Sequence, residues 1–173
     1  AAMYFAPEMS LLLDRDRKRA GAHIISESEN RALNLVTAAA RTCGLWVHLG
    51  SLPVLKDAGG KYANRSIVVD PEGQIRARYD KMHLFDVDLS TGESWRESAA
   101  YDAGSGPVAV RTPLGLLGLS ICYDLRFPDL YSAYSNAGAD ILAIPAAFTV
   151  PTGQAHSHTL LRARAIETQS FAV

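Results

Sequence analysis

Leu116-Leu117-Gly118-Leu119-Ser120-Ile121-Cys122-Tyr123-Asp124-Leu125-Arg126-Phe127-Pro128-Asp129-Leu130-Tyr131 runs from an apolar stretch through a cysteine into a proline-started helical pattern. Leu116 to Ile121 reads as a buried strand, and Pro128 to Ala137, closed by Gly138, reads as a helix with proline in its first turn. Cys122 therefore falls on a strand-to-helix turn at the carboxyl end of a sheet, where open α/β folds keep their reactive groups. On packing habit alone, a free cysteine at the end of a buried strand is a small core residue. The company of Glu8 and Lys81 makes it a candidate nucleophile.

Both companions leave predicted strands in the same way. The apolar run Ala1 to Ala6 stops at Pro7-Glu8, so Glu8 is carried at a strand exit. Arg65 to Asp70 and Gln74 to Asp80 are β-rich runs joined by Asp70-Pro71-Glu72-Gly73, a hairpin signal, and the second delivers Lys81 just past its end. Further out, Glu27 to Cys43 has helical spacing at Leu33, Val36 and Ala40, with Gly44 as a stop before the strand Leu45 to Leu49. Val108 to Arg111 and Leu116 to Ile121 flank a second hairpin turn. Asp140 to Pro145 reads as a strand, Gln154 to Gln169 as a long helix, and 171–173 as the start of another strand. Hairpins mixed with crossovers predict an α/β fold, a mixed sheet covered by helices. Gly104-Ser105-Gly106 reads as a linker turn, without the basic residue or following helix of a phosphate loop.

Glu, Lys and Cys together fit one chemistry. An ordinary thiol is mostly protonated at neutral pH, so a cysteine hydrolase needs a base, and Glu8 can supply it. Attack on an amide carbonyl puts negative charge on oxygen, which the Lys81 ammonium and the Tyr123 N–H can hold; such donors are each worth on the order of 10²–10³ in rate. Glu8, once protonated, can donate to the leaving nitrogen and then activate water against the thioester.

Pro7-Glu8, Tyr79-Asp80-Lys81-Met82-His83-Leu84 and Cys122-Tyr123-Asp124-Leu125-Arg126-Phe127-Pro128-Asp129 resemble the nitrilase, or carbon-nitrogen hydrolase, superfamily, and most closely its Nit branch of amidases. That branch includes amidases of deaminated glutathione and ω-amidases. The resemblance covers essentially the whole chain. It implies a four-layer α-β-β-α sandwich, with Glu8 as base, Lys81 as oxyanion stabiliser and Cys122 as nucleophile. It adds Glu97, sixteen positions after Lys81, as a second active-site acid that positions the lysine and the substrate. It implies one carbon-nitrogen hydrolase domain over residues 1–173, lacking an initial strand and helix and a final set of strands. It also implies a homo-oligomer built on the helices 128–137 and 154–169, and no cofactor. Acyl-pocket contributors by the same resemblance are Arg126, Phe148, Thr149 and His156. Arg126 can pair a substrate carboxylate or, structurally, Asp124, Glu97 or Asp129. Ser157 stands where Nit-branch amidases usually carry tryptophan, which removes an aromatic wall.

With 173 residues, 48 % hydrophobic and 20 % charged, the chain is long enough to bury roughly 70 % of its unfolded surface. No apolar stretch approaches a membrane span. A net charge of -1 gives no broad field for nucleic acid, and the basic cluster from Arg15 to Arg19 is interrupted by acid. Cys43 and Cys122 follow no metal or redox spacing, so a reduced, cytoplasmic setting is the simpler reading, with Cys122 the more reactive of the two. His156 and His158 do not share a helical face and lack a third ligand, so no metal is expected. His83, two residues from Lys81, is the alternative base of a Cys-His hydrolase. The function expected is hydrolysis of a small linear amide substrate, deaminated glutathione or an ω-amide of a 2-oxo acid, to a carboxylate and ammonia or amine. Alternatives are a nitrilase or carbamoyl-type hydrolase using the same three residues, and a non-catalytic assembly module.

Overall fold

Side chains alternate along two central strands and so set the layers. β4 (Tyr62–Val69) turns Val68 to one face and Ile67 and Val69 to the other, and β9 (Gly115–Leu119) turns Leu117 and Leu119 away from the face of Gly118. The computed structural model describes residues 2–14, 16–56, 60–88, 92, 94–148 and 153–173, with Arg17 described by its backbone alone.

The first sheet takes β1 (Met3–Phe5), β2 (Trp46–His48), β3 (Leu52–Leu55), β4 and β5 (Ile75–Asp80). β1 and β2 are parallel; β2 and β3 share one edge of β4 and β5 takes the other, all antiparallel. Arg65 pairs across to both Leu52 and Asp80, which fixes the register. The second sheet takes β8 (Ala109–Thr112), β9, β10 (Ile141–Ala143) and β11 (Phe171–Ala172), antiparallel between β8 and β9 and parallel beyond. Between the sheets Val68, Ala77 and Tyr79 meet Leu117, Leu119, Ile121, Ile141 and Ala143. After the short α1 (Arg17–Gly21), the outer face of the first sheet is covered by α2 (Arg31–Cys43) through Leu33 and Ala40, and that of the second by α3 (Pro128–Asn136) and α4 (His158–Thr168) through Leu130, Tyr131, Tyr134, Leu160 and Leu161. The result is the α-β-β-α order expected from the resemblance, with two mixed sheets.

Boundaries moved for local reasons. The helix read from Glu27 begins at Arg31, because the Asn30 side chain accepts from Leu33 N at 3.0 Å and caps it, leaving 27–29 as a 3₁₀ turn. Gly44, at φ +62°, ends it as expected. The helix read from Gln154 begins at His158, after a π-helical turn over Gly153–Ser157. β3 was not foreseen because Pro53 lies within it; the strand is at the sheet edge, where a missing N–H is tolerated. Nor was the short ribbon of β6 (Asp86–Asp88) and β7 (Ser94–Arg96). Gly118 is required by packing, since a Cβ there would lie 2.7 Å from the Tyr134 ring. Among the described residues no helix is long and apolar enough to cross a membrane.

His48, 1 % exposed, makes stability depend on pH. Its Nε2 meets Ser66 Oγ at 2.9 Å, its Nδ1 has no partner among the described residues, and burial pushes the imidazole down to about 4 from 6.5. The folded state therefore keeps His48 neutral while the unfolded chain takes up a proton below about pH 6.5. The stability linked to this residue is whole above that pH and declines as pH falls toward the folded value. It amounts to about 3 kcal/mol at roughly 1.4 kcal/mol per unit. Denaturant titrations at about pH 7 and about pH 4.5 should show a smaller pH loss for His48→Gln than for the parent. Equal losses in the two proteins would refute it.

Candidate active site

Glu8 leaves β1 on a turn that the end of β2 holds in place. Ser51 N donates to Pro7 O at 3.3 Å, Ser51 O accepts from Ser10 N at 2.9 Å, and Ser51 Oγ accepts from Met9 N at 3.0 Å. A Cβ at Gly50 would lie 1.9 Å from Pro7 O, so the two segments can touch only with glycine there. Met9 is forced to φ +54°. The Glu8 side chain turns inward, 7 % exposed, where its Oε2 accepts from Ala147 N at 2.8 Å.

Lys81 leaves β5 clamped on both sides of its main chain. Its N–H donates to Asn64 O and its carbonyl accepts from Gly104 N, each at 2.9 Å. Gly104 is thus no mere linker: a Cβ there would stand 2.0 Å from Asp80 O. Lys81 is 2 % exposed, with Nζ 3.2 Å from Glu8 Oε1 and 3.0 Å from Glu97 Oε2. Burial is the largest single influence and opposes the charge, but Glu8 and Glu97 together outweigh it and hold the ammonium above the ordinary lysine range. Glu97 opens a 3₁₀ turn at the foot of the β6–β7 ribbon, and its Oε2 accepts from Phe85 N at 2.7 Å.

Cys122 opens the 3₁₀ turn Cys122–Arg126 with φ +50°, and its N–H donates to Pro145 O at 2.9 Å. Among the described residues, Met9 and Cys122 are two of three non-glycine positions with positive φ, and both border the site. Such strain, of order 1–3 kcal/mol each, is held by the surrounding hydrogen bonds. Cys122 is 7 % exposed; burial first, then the Glu8 charge, push its thiol well up, with Lys81 opposing. Both raising influences favour the neutral thiol. Tyr123, whose N–H was expected to help hold an oxyanion, is the next residue of the turn.

Asp124 joins the nucleophile turn to the lysine segment. Fully buried, it accepts from Ile121 N at 2.8 Å, Tyr79 Oη at 2.7 Å and His83 N at 3.0 Å, and it meets His83 Nδ1 at 2.7 Å. The His83 ring also stacks on Phe127, with centroids 3.7 Å apart. Its Nδ1 is thus engaged by Asp124, and His83 is not on the lining of the cavity that holds Cys122. It also occupies Asp124, which sequence reasoning offered as a partner for Arg126.

A cavity of about 280 Å³ opens over Glu8, Lys81, Glu97 and Cys122. Its walls are largely aromatic, from Tyr62, Phe85, Trp95, Tyr101 and Phe148, with Asp14 also on the lining. Of the expected acyl-pocket residues, Phe148 lines it. Arg126 and His156 do not; they lie in a small adjoining cleft with Tyr123, Ser157 and Leu160, because the 3₁₀ turn carries Arg126 outward to an exposed position. Thr149 lies outside the described residues. Sequence reasoning missed Asn64, Asp124, Tyr62, Trp95 and Tyr101. Asn64 had a signal, a carboxamide on the β4 face that also turns Ser66 and Val68 inward. Among the described residues no three or more His, Cys, Asp and Glu side chains converge as a metal site.

Known proteins share this architecture. The chain is 45 % identical over 136 residues to a deaminated glutathione amidase of Yersinia enterocolitica, covering 78 % of this chain and 48 % of that protein. It is 37 % identical over 177 aligned positions to the human protein of the same name, covering 100 % of this chain and 54 % of that one. The chain thus spans about half the length of the curated relatives it matches. The Caenorhabditis elegans NitFhit structure superposes with TM-score 0.88 at 36 % identity, over 99 % of this chain and 42 % of that one. Saccharomyces cerevisiae Nit3, of branch 10 of the nitrilase superfamily, superposes with TM-score 0.84 at 27 % identity, over 99 % and 60 %. The profile described as Carbon-nitrogen hydrolase matches residues 1–173, and the chain belongs to that family.

Proposed function

We propose that the protein hydrolyses a small linear amide to a carboxylate and ammonia or amine, through a thioester on Cys122. Deaminated glutathione or the ω-amide of a 2-oxo acid is the substrate class. The observation that carries this reading is that Glu8, Lys81 and Cys122 line one cavity, where Lys81 Nζ donates to Glu8 Oε1 at 3.2 Å and the Glu8 charge acts on the buried thiol. A base placed beside both the nucleophile and the oxyanion holder is what amide attack requires.

The steps balance through Glu8. As sulfur bonds to the carbonyl carbon, the thiol proton passes to Glu8, and the oxygen's new charge falls to Lys81 Nζ and the Tyr123 N–H. Glu8 returns the proton to nitrogen as the C–N bond breaks, releasing ammonia or amine and leaving the thioester. Water then bonds to the same carbon while Glu8 takes its proton; the C–S bond breaks and Glu8 restores the thiol. Glu97 keeps Lys81 in place. The cavity size suits a substrate of deaminated dipeptide or tripeptide dimensions. The two cysteines are free, in keeping with a cytoplasmic setting. By resemblance α4 belongs to the face on which a homo-oligomer forms, which light scattering would resolve.

Ammonia and amine release from deaminated glutathione, α-ketoglutaramate and a simple nitrile tests the scheme. Lys81→Met and Glu8→Gln should each lose roughly 10²–10³-fold or more in kcat while keeping the fold. His83→Ala should keep measurable turnover. A dead His83→Ala beside an active Glu8→Gln would transfer the mechanism to a Cys-His scheme, and turnover of the nitrile alone would remove the amidase assignment.

Alkylation supplies an independent check. Cys43 was expected to be shielded by its helix end, but it is exposed, whereas Cys122 is buried with its thiol pushed upward. Iodoacetamide mapping should therefore find Cys43 labelled in every variant. Cys122 should be labelled slowly in the parent and faster in Glu8→Gln, which removes the carboxylate charge that presses the thiol toward its neutral form. Unchanged Cys122 labelling in that variant would argue against Glu8.

A further inference from the structure

Asn64 lies amid the charged groups without belonging to a reacting pair. It is 1 % exposed, and its main-chain carbonyl accepts from Lys81 N at 2.9 Å. Its side-chain Nδ2 is 3.1 Å from Glu8 Oε1 and 3.4 Å from Glu97 Oε1, so one amide group reaches both carboxylates that hold Lys81 Nζ. Its Oδ1 is buried and has no hydrogen-bond partner among the described residues. An orphaned buried acceptor costs on the order of 1–3 kcal/mol, so something must keep the amide from turning over. Turning it would set Oδ1 against two carboxylate oxygens and remove both donors. The orientation therefore matches a pair of carboxylates that both act as acceptors.

We propose that Asn64 is a positioning residue that holds Glu8 and Glu97 together as ionised acceptors around the Lys81 ammonium, so that the mobile proton of the resting site stays on Cys122. The proposal rests on the reading of Glu8 as base. The groups facing the amide come from four elements: Glu8 from the turn after β1, Lys81 from the end of β5, Glu97 from the foot of the ribbon and Cys122 from the nucleophile turn. With Lys81 charged and both carboxylates ionised, this set carries one net negative charge. A further proton on Glu8 would relieve that charge and remove the base before substrate arrives. Two N–H donors from a neutral amide oppose that protonation without adding charge, which a second lysine could not do.

Two near-isosteric variants of the full protein separate this role from simple packing, since both keep the main-chain bond to Lys81. In N64D the introduced carboxyl faces two carboxylates and takes up a proton; its single O–H serves one of them, and kcat falls about tenfold. In N64L both donors are gone, and kcat falls about a hundredfold. KM stays within about threefold in each, because Asn64 does not line the cavity. A residue that merely filled space would give the opposite order, since an apolar side chain suits a buried site better than a third acid. Infrared difference spectra of N64D against the parent at neutral pH should show a protonated-carboxyl C=O band. Absence of that band, or an N64L protein with kcat at or above that of N64D, overturns the proposal. If N64L does not fold, the N64D band decides. The band does not depend on turnover, so a parent without amidase activity would remove the functional reading while leaving Asn64 to be judged by the band alone.

Discussion

A single ammonium, Lys81 Nζ, buried between Glu8 and Glu97, constrains the rest of this structure. Burying a lysine is unfavourable unless its charge is matched, and removing one partner of a buried pair costs about 3–5 kcal/mol. Each carboxylate must therefore arrive from its own segment at contact distance. Glu8 comes from the first sheet's parallel edge, Lys81 from its other side, and Glu97 from the foot of a ribbon, tied to the site through Phe85 N, Lys81 and Asn64. The second sheet contributes Cys122 and the N–H of Ala147. The site lies where the ends of the two sheets meet, and the packing of Tyr79, Ile121 and Ala143 between them sets how far Cys122 stands from Lys81.

That distance is also maintained by polar links. Asp124 ties the N–H of Ile121 to the hydroxyl of Tyr79 and the N–H of His83, bridging the segments before the nucleophile and after the lysine. On the outer side, the guanidinium of Arg164 from α4 holds the Leu125 carbonyl at 3.0 Å and 3.2 Å and lies over the Tyr131 ring. The 3₁₀ turn is thus gripped from both sides, which accounts for its tolerance of a positive φ at Cys122.

What the sequence disclosed follows from the same geometry. Glu8, Lys81 and Cys122 were legible because each directly follows an apolar or β-rich run, so the strand pattern alone places it at a sheet end. Glu97 was legible only through resemblance, because β7, with three exposed residues, shows no burial pattern. Asn64 escaped because the strand was read from Arg65 while pairing extends to Tyr62. Arg126 and His156, expected at the acyl pocket by resemblance alone, stand in the adjoining cleft on a 3₁₀ turn and a π-helical turn, forms that no spacing in the sequence announces. The cavity's aromatic wall comes from Tyr62, Trp95 and Tyr101, residues remote in sequence that only the folded chain assembles.

The protonation state of the sulfur separates this site from one built on a preformed thiolate. In a thiolate–imidazolium pair the charge exists before substrate binds, and the base has finished its first task. Here burial and the Glu8 charge both press Cys122 toward the neutral thiol, while the nearby cation is already neutralised by two carboxylates. In the mechanism we propose, sulfur becomes a strong nucleophile only as its proton leaves for Glu8, and the incoming carbonyl oxygen gives Lys81 a further negative partner at that moment. On that proposal the stabilisation from the lysine is realised in the transition state rather than in the resting protein, the condition under which binding energy lowers a barrier. A buried lysine held by two acids, costly as a structural device, is under that proposal a charge kept ready for an oxyanion.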